Sequence, residues 1–459
     1  MQLPSSLLQS LQGLAGFDEQ RFVNIHNSNT SVTSIRLNPA KSETVLRSFG
    51  ERNVDCTPIP WTRNGYYLSE RPSFTFDPLF HAGCYYVQEA SSMFLEQVLK
   101  QSVALDQPLK ILDLCAAPGG KSTHLQSLIS PDSLLVSNEV IRQRVNILKD
   151  NMVKWGSSNV VVTNNDPKDF SKLKGYFDVI VVDAPCSGSG LFRRDEAAIS
   201  EWSENNVVLC SQRQQRILAD ILPTLKDGGV LVYSTCSYSR QEDEDIADWL
   251  TTTFPLSNIP LNVNADWKII EAVTTSGNKG YRFWPHLAKG EGFFLAAFKL
   301  NDGDTYKNKS KSAVKPLTKQ LLPLVSSWAA LANSELIQVN DKVYAWPSVL
   351  LDDFDVLLQH LKLIYSGTLL GELAHKKLIP DHALAMSKKV AESIVCADLG
   401  LPEAIAYLQK NTIENTGLST GWQLARYNKQ VLGWMNVLSN RINNYYPKEL
   451  RILKQKINN

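Results

Sequence analysis

Two short segments each carry a cysteine directly after a run of β-branched and apolar residues. The first reads VVDAPCSGSG and holds Asp183 and Cys186, and the second reads VYSTCSYS and holds Cys236. A thiolate is a strong nucleophile where its surroundings stabilise the anion, so such loops can do covalent chemistry. Most isolated cysteines are inert core residues, and that alternative stays open for each segment taken singly. Two cysteines at strand ends favour a pair that converges on one cleft.

Number and spacing disfavour other kinds of cysteine chemistry. The chain has seven cysteines, and none forms a C-x-x-C pair. An odd number without such pairs argues against both a disulfide framework and a zinc ribbon. Two thiols without a nearby histidine pair also fall short of the four ligands of a tetrahedral metal site. We therefore expect free thiols and no metal.

A glycine-bearing turn, CAAPGGKS, lies upstream of both cysteine segments, at Cys115–Ser122. A phosphate loop needs glycine where Cys115 stands, and the G-x-G-x-x-G dinucleotide fingerprint is absent, which disfavours a nucleoside triphosphatase. The small residues of the turn let a ligand approach the backbone, and the N–H groups of the following helix start attract negative charge such as a carboxylate. Taken alone, the turn is also explained by backbone geometry without a ligand.

Two acids follow at the ends of the next two predicted strands, Glu139 and then Asp166. An acid at the second strand end typically accepts hydrogen bonds from ribose hydroxyls, and Asp166 is placed to receive an adenine amino group. For each acid taken alone, capping of the following helix is the better explanation. Together with the turn, the two acids indicate an adenosine-containing ligand that is not a triphosphate.

The elements that must position these residues alternate in the α/β manner. Continuous apolar runs predict strands that are buried on both faces, and helical stretches separate them. The predicted strands are Leu109–Leu114, Leu134–Glu139, Val160–Asp166, Phe177–Asp183, Gly229–Thr235 and Phe293–Leu300. The predicted helices are Ser122–Ile129, Val140–Trp155 and Val207–Leu225. We expect a mostly parallel, doubly wound sheet, in which ligands bind beyond the carboxyl ends of the strands.

The length of 459 residues predicts roughly three domains. Hydrophobic residues make up 43% and charged residues 20% of the chain, as in ordinary globular proteins. We place an N-terminal domain at 1–105, a catalytic domain at 106–302, a Lys/Ser-rich linker at 303–320 and a C-terminal region at 321–459. No run approaches the ~20 apolar residues of a membrane helix, and the N-terminus lacks the basic start of a secretory signal. We expect a cytoplasmic protein with no membrane partner.

Charge is unevenly distributed, although the net charge is only +1. From Gly421 to Asn459 seven basic residues stand against one acid, so this tail carries +6 and the rest of the chain carries −5. Cations beside exposed aromatic rings suit a nucleic-acid surface. A solvated basic face whose aromatics lie in the core is an equally good explanation. The aromatic residues concerned are Trp422, Tyr427, Trp434, Tyr445 and Tyr446.

Three motifs, DLCAAPGGKS, VVDAPCSGSG and YSTCS, stand in this order, with YYVQEASSM upstream and GEGFFLAAFK downstream. Together they resemble the bacterial S-adenosylmethionine-dependent RNA (cytosine-5) methyltransferases. The tail GWQLARYNKQVLGWMNVLSNRINNYYPKELR is similar to the PUA-like C-terminal module of one member of that family. The resemblance covers nearly the whole chain. It implies a doubly wound, Rossmann-like α/β methyltransferase domain between an N-terminal α+β RNA-binding domain and a C-terminal RNA-binding region.

The resemblance also implies a role for each motif. In this family the thiol of the T-C-S motif attacks the cytosine, hence Cys236, and the thiol of the P-C motif, hence Cys186, acts in product release. Asp183 is implied at the N3/N4 edge of the pyrimidine and near the cofactor, and Lys121 at the cofactor or the base. The implied S-adenosylmethionine site comprises Cys115, Ala116, Ala117, Pro118, Gly119, Gly120, Lys121, Glu139, Asp166 and Asp183.

Some positions are less clear. Glu196 stands where the family usually has proline after Arg193–Asp195, which questions the local loop conformation and not the chemistry. Glu242 and Glu244 match acids of the family, but a helix N-terminus, which favours acids, explains them equally well.

The function implied is methylation of C5 of one cytosine in small-subunit (16S) ribosomal RNA through a covalent cysteine–C6 intermediate. The alternatives are a 5-methylcytosine enzyme for another ribosomal or transfer RNA site, and a non-catalytic RNA-binding factor of ribosome assembly. The expected partner is ribosomal RNA, either free or within the small subunit, and the expected oligomeric state is a monomer.

Overall fold

The computed structural model describes residues 3–28, 30–307, 314, 316–375, 377–414 and 417–454. Its N-terminal part is a small α+β unit with four strands in the order β2-β3-β1-β4, all antiparallel. The strands are β1 (Thr33–Leu37), β2 (Cys56–Pro58), β3 (Gly65–Leu68) and β4 (Tyr85–Val87). The helices are α1 (Ser5–Ser10), α2 (Glu19–Asn27), α3 (Val45–Gly50), α4 (Pro78–His81) and α5 (Leu95–Ser102).

The central part supplies nine strands and five helices. The strands are β5 (Lys110–Asp113), β6 (Leu134–Asn138), β7 (Val160–Thr163), β8 (Phe177–Asp183), β9 (Leu225–Thr235), β10 (Leu256–Asn258), β11 (Ile270–Val273), β12 (Lys279–Phe283) and β13 (Phe293–Leu300). The helices are α6 (Gly120–Leu128), α7 (Arg142–Trp155), α8 (Ala197–Glu201), α9 (Glu204–Ile221) and α10 (Glu244–Thr253). Strands β5 to β9 and β13 lie where the apolar runs predict them, because side chains buried on both faces leave a continuous signal.

The described residues of the C-terminal part form nine further strands and four helices. The strands are β14 (Ser334–Val339), β15 (Lys342–Pro347), β16 (Leu363–Ser366), β17 (Thr368–Ala374), β18 (Lys377–Pro380), β19 (Cys396–Asp398), β20 (Gly421–Tyr427), β21 (Gln430–Val437) and β22 (Ile442–Asn444). The helices are α11 (Leu322–Ser326), α12 (Leu351–His360), α13 (His382–Met386) and α14 (Leu401–Leu408). Two four-stranded sheets form here, in the orders β14-β15-β17-β18 and β19-β20-β21-β22.

The central sheet has ten strands, in the order β11-β12-β13-β9-β8-β5-β6-β7-β16, with β10 pairing to β13. Its five middle strands, β5 to β9, run parallel, and the outer strands run antiparallel to their neighbours. The strand order reverses between β5 and β8, which is the point where open α/β sheets bind ligands. The carboxyl ends of the five parallel strands therefore meet at one edge.

One edge strand of this sheet comes from far along the chain. Strand β16 pairs with β7, with Leu363 opposite Thr163 and Ser366 opposite Val161. The sheet thus includes a strand beyond residue 302, so the division into 1–105, 106–302 and 321–459 stays a prediction. Of the predicted linker, residues 308–313 and 315 lie outside the described residues. The backbone just before them is held to the sheet, since the amide of Tyr306 donates to the carbonyl of Gly175.

The N-terminal and C-terminal parts share one hydrophobic core. Buried side chains of the first sheet, such as Ile35 and Tyr85, belong to the same cluster as Tyr407 and Leu432 from the C-terminal part. Helix α4 packs against both α14 and β21. No helix among the described residues is long and apolar enough to cross a membrane.

Candidate active site

The two cysteines predicted to converge are in contact. Cys186 follows β8, Cys236 follows β9, and these strands are parallel neighbours. The two Sγ atoms lie 3.1 Å apart, which is a thiol–thiol contact and not a disulfide of about 2.05 Å. The hydrogen bond with Cys236 and then burial raise the pKa of Cys186 well above its ordinary value. Either thiol can donate this hydrogen bond, and the raised pKa favours the protonated form of Cys186.

Backbone contacts hold the two cysteine loops together. The amide of Gly190 donates to the carbonyl of Cys236 at 2.8 Å, and the amide of Tyr238 donates to Ser189 Oγ at 2.9 Å. A Cβ on Gly190 would lie 2.5 Å from the carbonyl oxygen of Gly292 and 2.7 Å from that of Cys236. Both distances are far too short for real atoms, so only glycine allows this approach.

Lys121 and Asp183 form an ion pair beside the thiols. Lys121 Nζ lies 2.7 Å from Asp183 Oδ2, and Ser234 Oγ donates to Asp183 Oδ1 at 2.8 Å. Burial alone would lower the pKa of Lys121, but Asp183 raises it above its ordinary value, with smaller contributions that include Cys236. Lys121 is therefore a stable cation that faces the sulfur. Its ammonium also lies 5.1 Å from the centre of the Phe293 ring.

The turn at Cys115–Lys121 lies at the carboxyl end of β5 and leads into α6. Gly119 has a φ of +114°, a left-handed conformation that favours glycine. Two side chains of α7 hold the turn: Arg144 donates to the carbonyl of Ala117 at 2.6 Å, and Asn151 donates to that of Pro118 at 2.8 Å. Burial raises the pKa of the Cys115 thiol, so this third cysteine stays neutral.

Asp113, the last residue of β5, carries an unusual carboxyl group. Ser122 Oγ donates to its Oδ2 at 2.7 Å, whereas its Oδ1 is buried and has no partner among the described residues. Burial raises the pKa of Asp113 to about 7, and the hydrogen bond from Ser122 only partly opposes this rise. An unpartnered acceptor at the switch point of the sheet is suited to a ligand that brings a donor.

The two strand-end acids differ in their surroundings. Glu139 is buried; its Oε1 accepts the amide of Ile141 at 2.8 Å, and its Oε2 lies 3.6 Å from Arg144. Asp166 caps the short 3₁₀ helix Pro167–Lys172 in a capping box. The capping alternative thus describes the observed contacts of Asp166, and its role toward an adenine stays a prediction.

The residues at this edge fit S-adenosylmethionine. The small residues of the turn leave the backbone open to a ligand, and carboxylates at successive strand ends supply acceptors for hydroxyl and amino groups. The orphaned Asp113 Oδ1 lies in the same row. Among the described residues no group of three or more His, Cys, Asp or Glu side chains is arranged to hold a metal ion.

Comparisons with known proteins match the chain along most of its length. The model of the 16S rRNA methyltransferase RsmB/F family matches residues 101–299, and that of the RsmF N-terminal domain matches 3–90. The first RsmF C-terminal domain matches 322–387, and the RsmF PUA domain matches 395–452. Ribosomal RNA small subunit methyltransferase F of Aeromonas salmonicida is 30% identical over 85% of this chain and 84% of its own. That of Shewanella piezotolerans is 29% identical over 92% and 91%.

The chain belongs to the RsmB/F family of 16S rRNA methyltransferases.

Solved structures agree with this assignment. A methyltransferase homologue from Pyrococcus horikoshii is 26% identical, with a TM-score of 0.52 over 65% of this chain and 100% of its own. NSun6 from the same organism, solved with SFG, is 19% identical, with a TM-score of 0.55 over 65% of this chain and 98% of its own, and shows the shared fold. Membership in the RsmB/F family confirms the predicted fold class, the predicted enzyme class of methyltransferase, and S-adenosylmethionine as the cofactor.

The individual roles predicted for the site residues stay predictions, but the structure shows how the residues are arranged. It places Cys186 in contact with Cys236 and Lys121 in contact with Asp183, and it lines the turn and Glu139 along the same edge. Sequence reasoning missed Gln214 and Phe293. Gln214 is buried on the otherwise amphipathic α9, and a polar residue on the apolar face of a predicted helix is the signal that points to it.

Proposed function

We propose that the chain transfers a methyl group to C5 of one cytosine in small-subunit (16S) ribosomal RNA, with Cys236 as the nucleophile. The observation that carries this proposal is the thiol pair. A sulfur that is in hydrogen-bond contact with a second thiol 3.1 Å away, and whose charge interacts with that of the Lys121 cation, is placed to react as a thiolate.

The proposed chemistry begins with the weak nucleophilicity of cytosine C5. The Cys236 thiolate adds to C6, a sulfur–carbon bond forms, and the electron pair of the C5–C6 double bond makes C5 nucleophilic. C5 then forms a bond to the electrophilic methyl group that bound S-adenosylmethionine would supply, while the methyl–sulfonium bond breaks and its electron pair stays on the sulfur of the departing S-adenosylhomocysteine. A base then removes the C5 proton, the sulfur–C6 bond breaks, and its electron pair returns to Cys236.

Cys186 acts in the last step of this scheme. Its raised pKa keeps the proton on its sulfur, in contact with Cys236. A hydrogen bond from Cys186 stabilises the leaving thiolate, so loss of Cys186 slows elimination most. Addition needs Cys236 itself, and the nearby Lys121 cation still supports the thiolate when Cys186 is absent.

Lys121 and Asp183 orient the base in this proposal. Asp183 is 36% exposed in its side chain although Lys121 and Ser234 both bond to it, so a carboxylate oxygen can still accept a hydrogen bond from the cytosine N4 amino group. The residues that would hold the cofactor are those of the turn together with Glu139, Asp166 and Asp183. The target base must leave its stack to reach the thiols, as in other enzymes that modify bases.

The ribosomal RNA substrate is supported by the family and by the charge of the tail. Of the tail aromatics, Trp434 and Tyr446 lie in the core, whereas Tyr445 is 40% exposed and can stack on a base. Lys456 lies outside the described residues. The substrate is ribosomal RNA, either free or within the small subunit, and a monomeric enzyme and a cytoplasmic location complete the proposal.

Replacement of each cysteine tests the division of roles. We expect Cys236→Ala to abolish transfer of labelled methyl to 16S RNA, because no thiolate adds to C6. We expect Cys186→Ala to accumulate a covalent protein–RNA adduct, because elimination is slow. Labelled transfer and a denaturing gel measure both.

The control is Cys396→Ala, which removes a thiol of β19 outside this site and should leave transfer unchanged. Activity in Cys236→Ala, with no adduct in either variant, would overturn the mechanism. Bisulfite mapping of the product RNA identifies the nucleotide, and methylation of another RNA class with 16S RNA unmodified would overturn the substrate.

A further inference from the structure

One buried carboxylate bonds to both cysteine loops. Glu242 ends the 3₁₀ turn Arg240–Glu242 and is fully buried. Its Oε1 accepts the amide of Ser187 at 2.8 Å, and its Oε2 accepts the hydroxyls of Ser187 at 2.5 Å and Ser237 at 2.6 Å. Ser187 directly follows Cys186, and Ser237 directly follows Cys236. The carboxylate therefore joins the residues adjacent to the two thiols.

A second group extends this connection. Gln214 on α9 donates to Glu242 Oε1 at 3.2 Å and to the carbonyl of Pro185 at 3.1 Å. The hydroxyl of Tyr233 on β9 lies 2.5 Å from the carbonyl oxygen of Glu242 and 2.9 Å from Gln214 Oε1. The residues on both sides of Cys186 are thus tied to the same buried network.

The neighbouring acids of this segment have a different function. Asp243 and Glu244 both pair with the buried Arg282, at 3.0 Å and 2.5 Å. Among the described residues Glu242 forms no ion pair, and its charge is balanced by four hydrogen-bond donors. Burial of a carboxylate destabilises the fold unless the group is fully hydrogen-bonded. If Glu242 served only to fill space, an apolar side chain would do so with a smaller loss of stability.

The charge of Glu242 also acts on the thiols. The ionisable groups around it and Cys186 are Cys236, Cys210, Tyr233 and Asp243. After the hydrogen bond with Cys236 and burial, the nearby charges of Cys236 and Glu242 raise the pKa of Cys186 further. The negative charge of Glu242 thus favours the protonated form of Cys186.

We propose that Glu242 is a positioning residue that holds the Cys186 and Cys236 loops in register, so that one thiol stays protonated against the sulfur of the other. This proposal deepens the proposed function and rests on it for its catalytic meaning. The geometry itself can be tested without RNA, which keeps the failure of one proposal distinguishable from failure of the other.

Disulfide formation between the two thiols measures their contact. Diamide, which takes up two electrons and two protons as the sulfur–sulfur bond forms, should oxidise the pair rapidly in the unaltered protein. We expect Glu242→Ala to slow the Cys186–Cys236 disulfide at least tenfold, as quantified by mass spectrometry of the linked peptides. The matched control is Glu244→Gln, which removes a buried charge two residues away and should stay within twofold of the unaltered protein. Affinity for S-adenosylmethionine should stay within twofold in both, since Glu242 does not contact the turn.

Glu242→Gln removes the negative charge of the side chain and keeps its shape. Its amide can keep the four partners because both serine hydroxyls can rotate to accept, so the rate of disulfide formation should stay within threefold. Loss of the negative charge should move the onset of Cys186 alkylation by iodoacetamide about one pH unit lower, with no such shift in Glu244→Gln.

Each outcome of these experiments either supports or overturns the positioning role of Glu242. Oxidation of Glu242→Ala at the unaltered rate, or an unshifted alkylation onset in Glu242→Gln, overturns the positioning role. If Glu242→Ala does not fold, the double variant Ser187→Ala/Ser237→Ala replaces it, and an unchanged oxidation rate there also overturns the role. Slower oxidation in a protein that methylates no RNA upholds the positioning role and contradicts the proposed function.

Discussion

At the scale of single residues, the site uses burial to give the same chemical group different properties. The carboxyl of Asp183 is partly exposed and paired with Lys121, whereas that of Asp113 is buried with one oxygen unpartnered. The thiols differ in what raises their pKa. Burial is the largest cause for Cys115, whereas the hydrogen bond with Cys236 is the largest cause for Cys186. Residue type alone therefore does not decide which group ionises.

Asp113 should make the stability of the protein depend on pH. Its folded pKa of about 7 lies above the unfolded value of about 3.9, so the protonated form stabilises the fold. This contribution is complete below pH ~4 and is lost as the pH rises through 7. Between pH 5 and pH 7 the free energy of unfolding should fall by roughly 2 kcal/mol more than in Asp113→Asn. Urea unfolding of both proteins at the two pH values checks this, and equal falls would contradict it.

The proposed catalytic residues could be predicted from the sequence more completely than the residues that position them. Cys186, Cys236 and Lys121 stand in motifs at strand ends, where a parallel sheet must bring them together. Glu242 lies in a segment where a helix-start acid explained it equally well, and its bonds to Ser187 and Ser237 depend on how two loops fold over each other. Glu242 and Ser187 lie 55 residues apart in the chain, and hydrogen-bond partners so distant leave no local periodicity.

At the scale of elements, three loops meet through their backbones. The amide of Gly190 reaches the carbonyl of Cys236, and that of Gly292 reaches the carbonyl of Gly190. Strand β9 and strand β13, which lead to these loops, are adjacent and antiparallel. The position of Cys236 thus depends on the packing of three loops and not on β9 alone.

Gly190→Ala should separate these loops. The added Cβ would meet two backbone oxygens at 2.5 and 2.7 Å, so we expect methyl transfer to fall at least tenfold and diamide oxidation of the thiol pair to slow in parallel. Kinetic assays of both reactions provide the measurement.

Gly188→Ala in the same loop is the comparison, because a Cβ there meets nothing within 4 Å. Its φ of +75° makes alanine cost about 1 kcal/mol of stability, while the thiol contact should remain. Equal losses in the two variants would show that the loop responds to any side chain and not to this clash.

Strand ends in the central sheet were predicted to within a few residues because continuous apolar runs such as FDVIVVD end sharply at polar residues. Strand β16 carries no comparable signal. Its sequence LIYS is short, and its pairing with β7 joins residues about 200 positions apart, a contact that depends on the packing of the whole C-terminal part.

At the scale of the whole molecule, the first and last parts of the chain are joined by a common core. Arg36 on β1 adds a polar connection to the central part, since its buried guanidinium donates to Thr123 Oγ1 at 2.5 Å and to the carbonyl of Gly120 at 3.3 Å. Gly120 begins α6, directly after the turn. The N-terminal part therefore packs against the C-terminal part and also supports the turn at Cys115–Lys121.

Tyr407→Ala should destabilise more of the protein than the C-terminal part in which Tyr407 lies. The side chain is fully buried, and its hydroxyl donates to the carbonyl of Trp434 at 2.9 Å. Loss of a buried aromatic ring typically costs about 3–5 kcal/mol. Because Tyr407 shares a cluster with Phe74 and Tyr85, amide hydrogen exchange should rise in β1, β4 and α4 as well as in α14 and β21. Exchange confined to α14 and β21 would show two independent cores.

The late position of β16 in the chain has a consequence for biosynthesis. As the chain emerges during translation, one edge of β7 has no strand partner until residue 366 leaves the ribosome, some 200 residues after β7 itself. An open edge of this kind recruits other strands, so the nascent chain needs protection over that interval, and a truncation before β16 would be prone to aggregate.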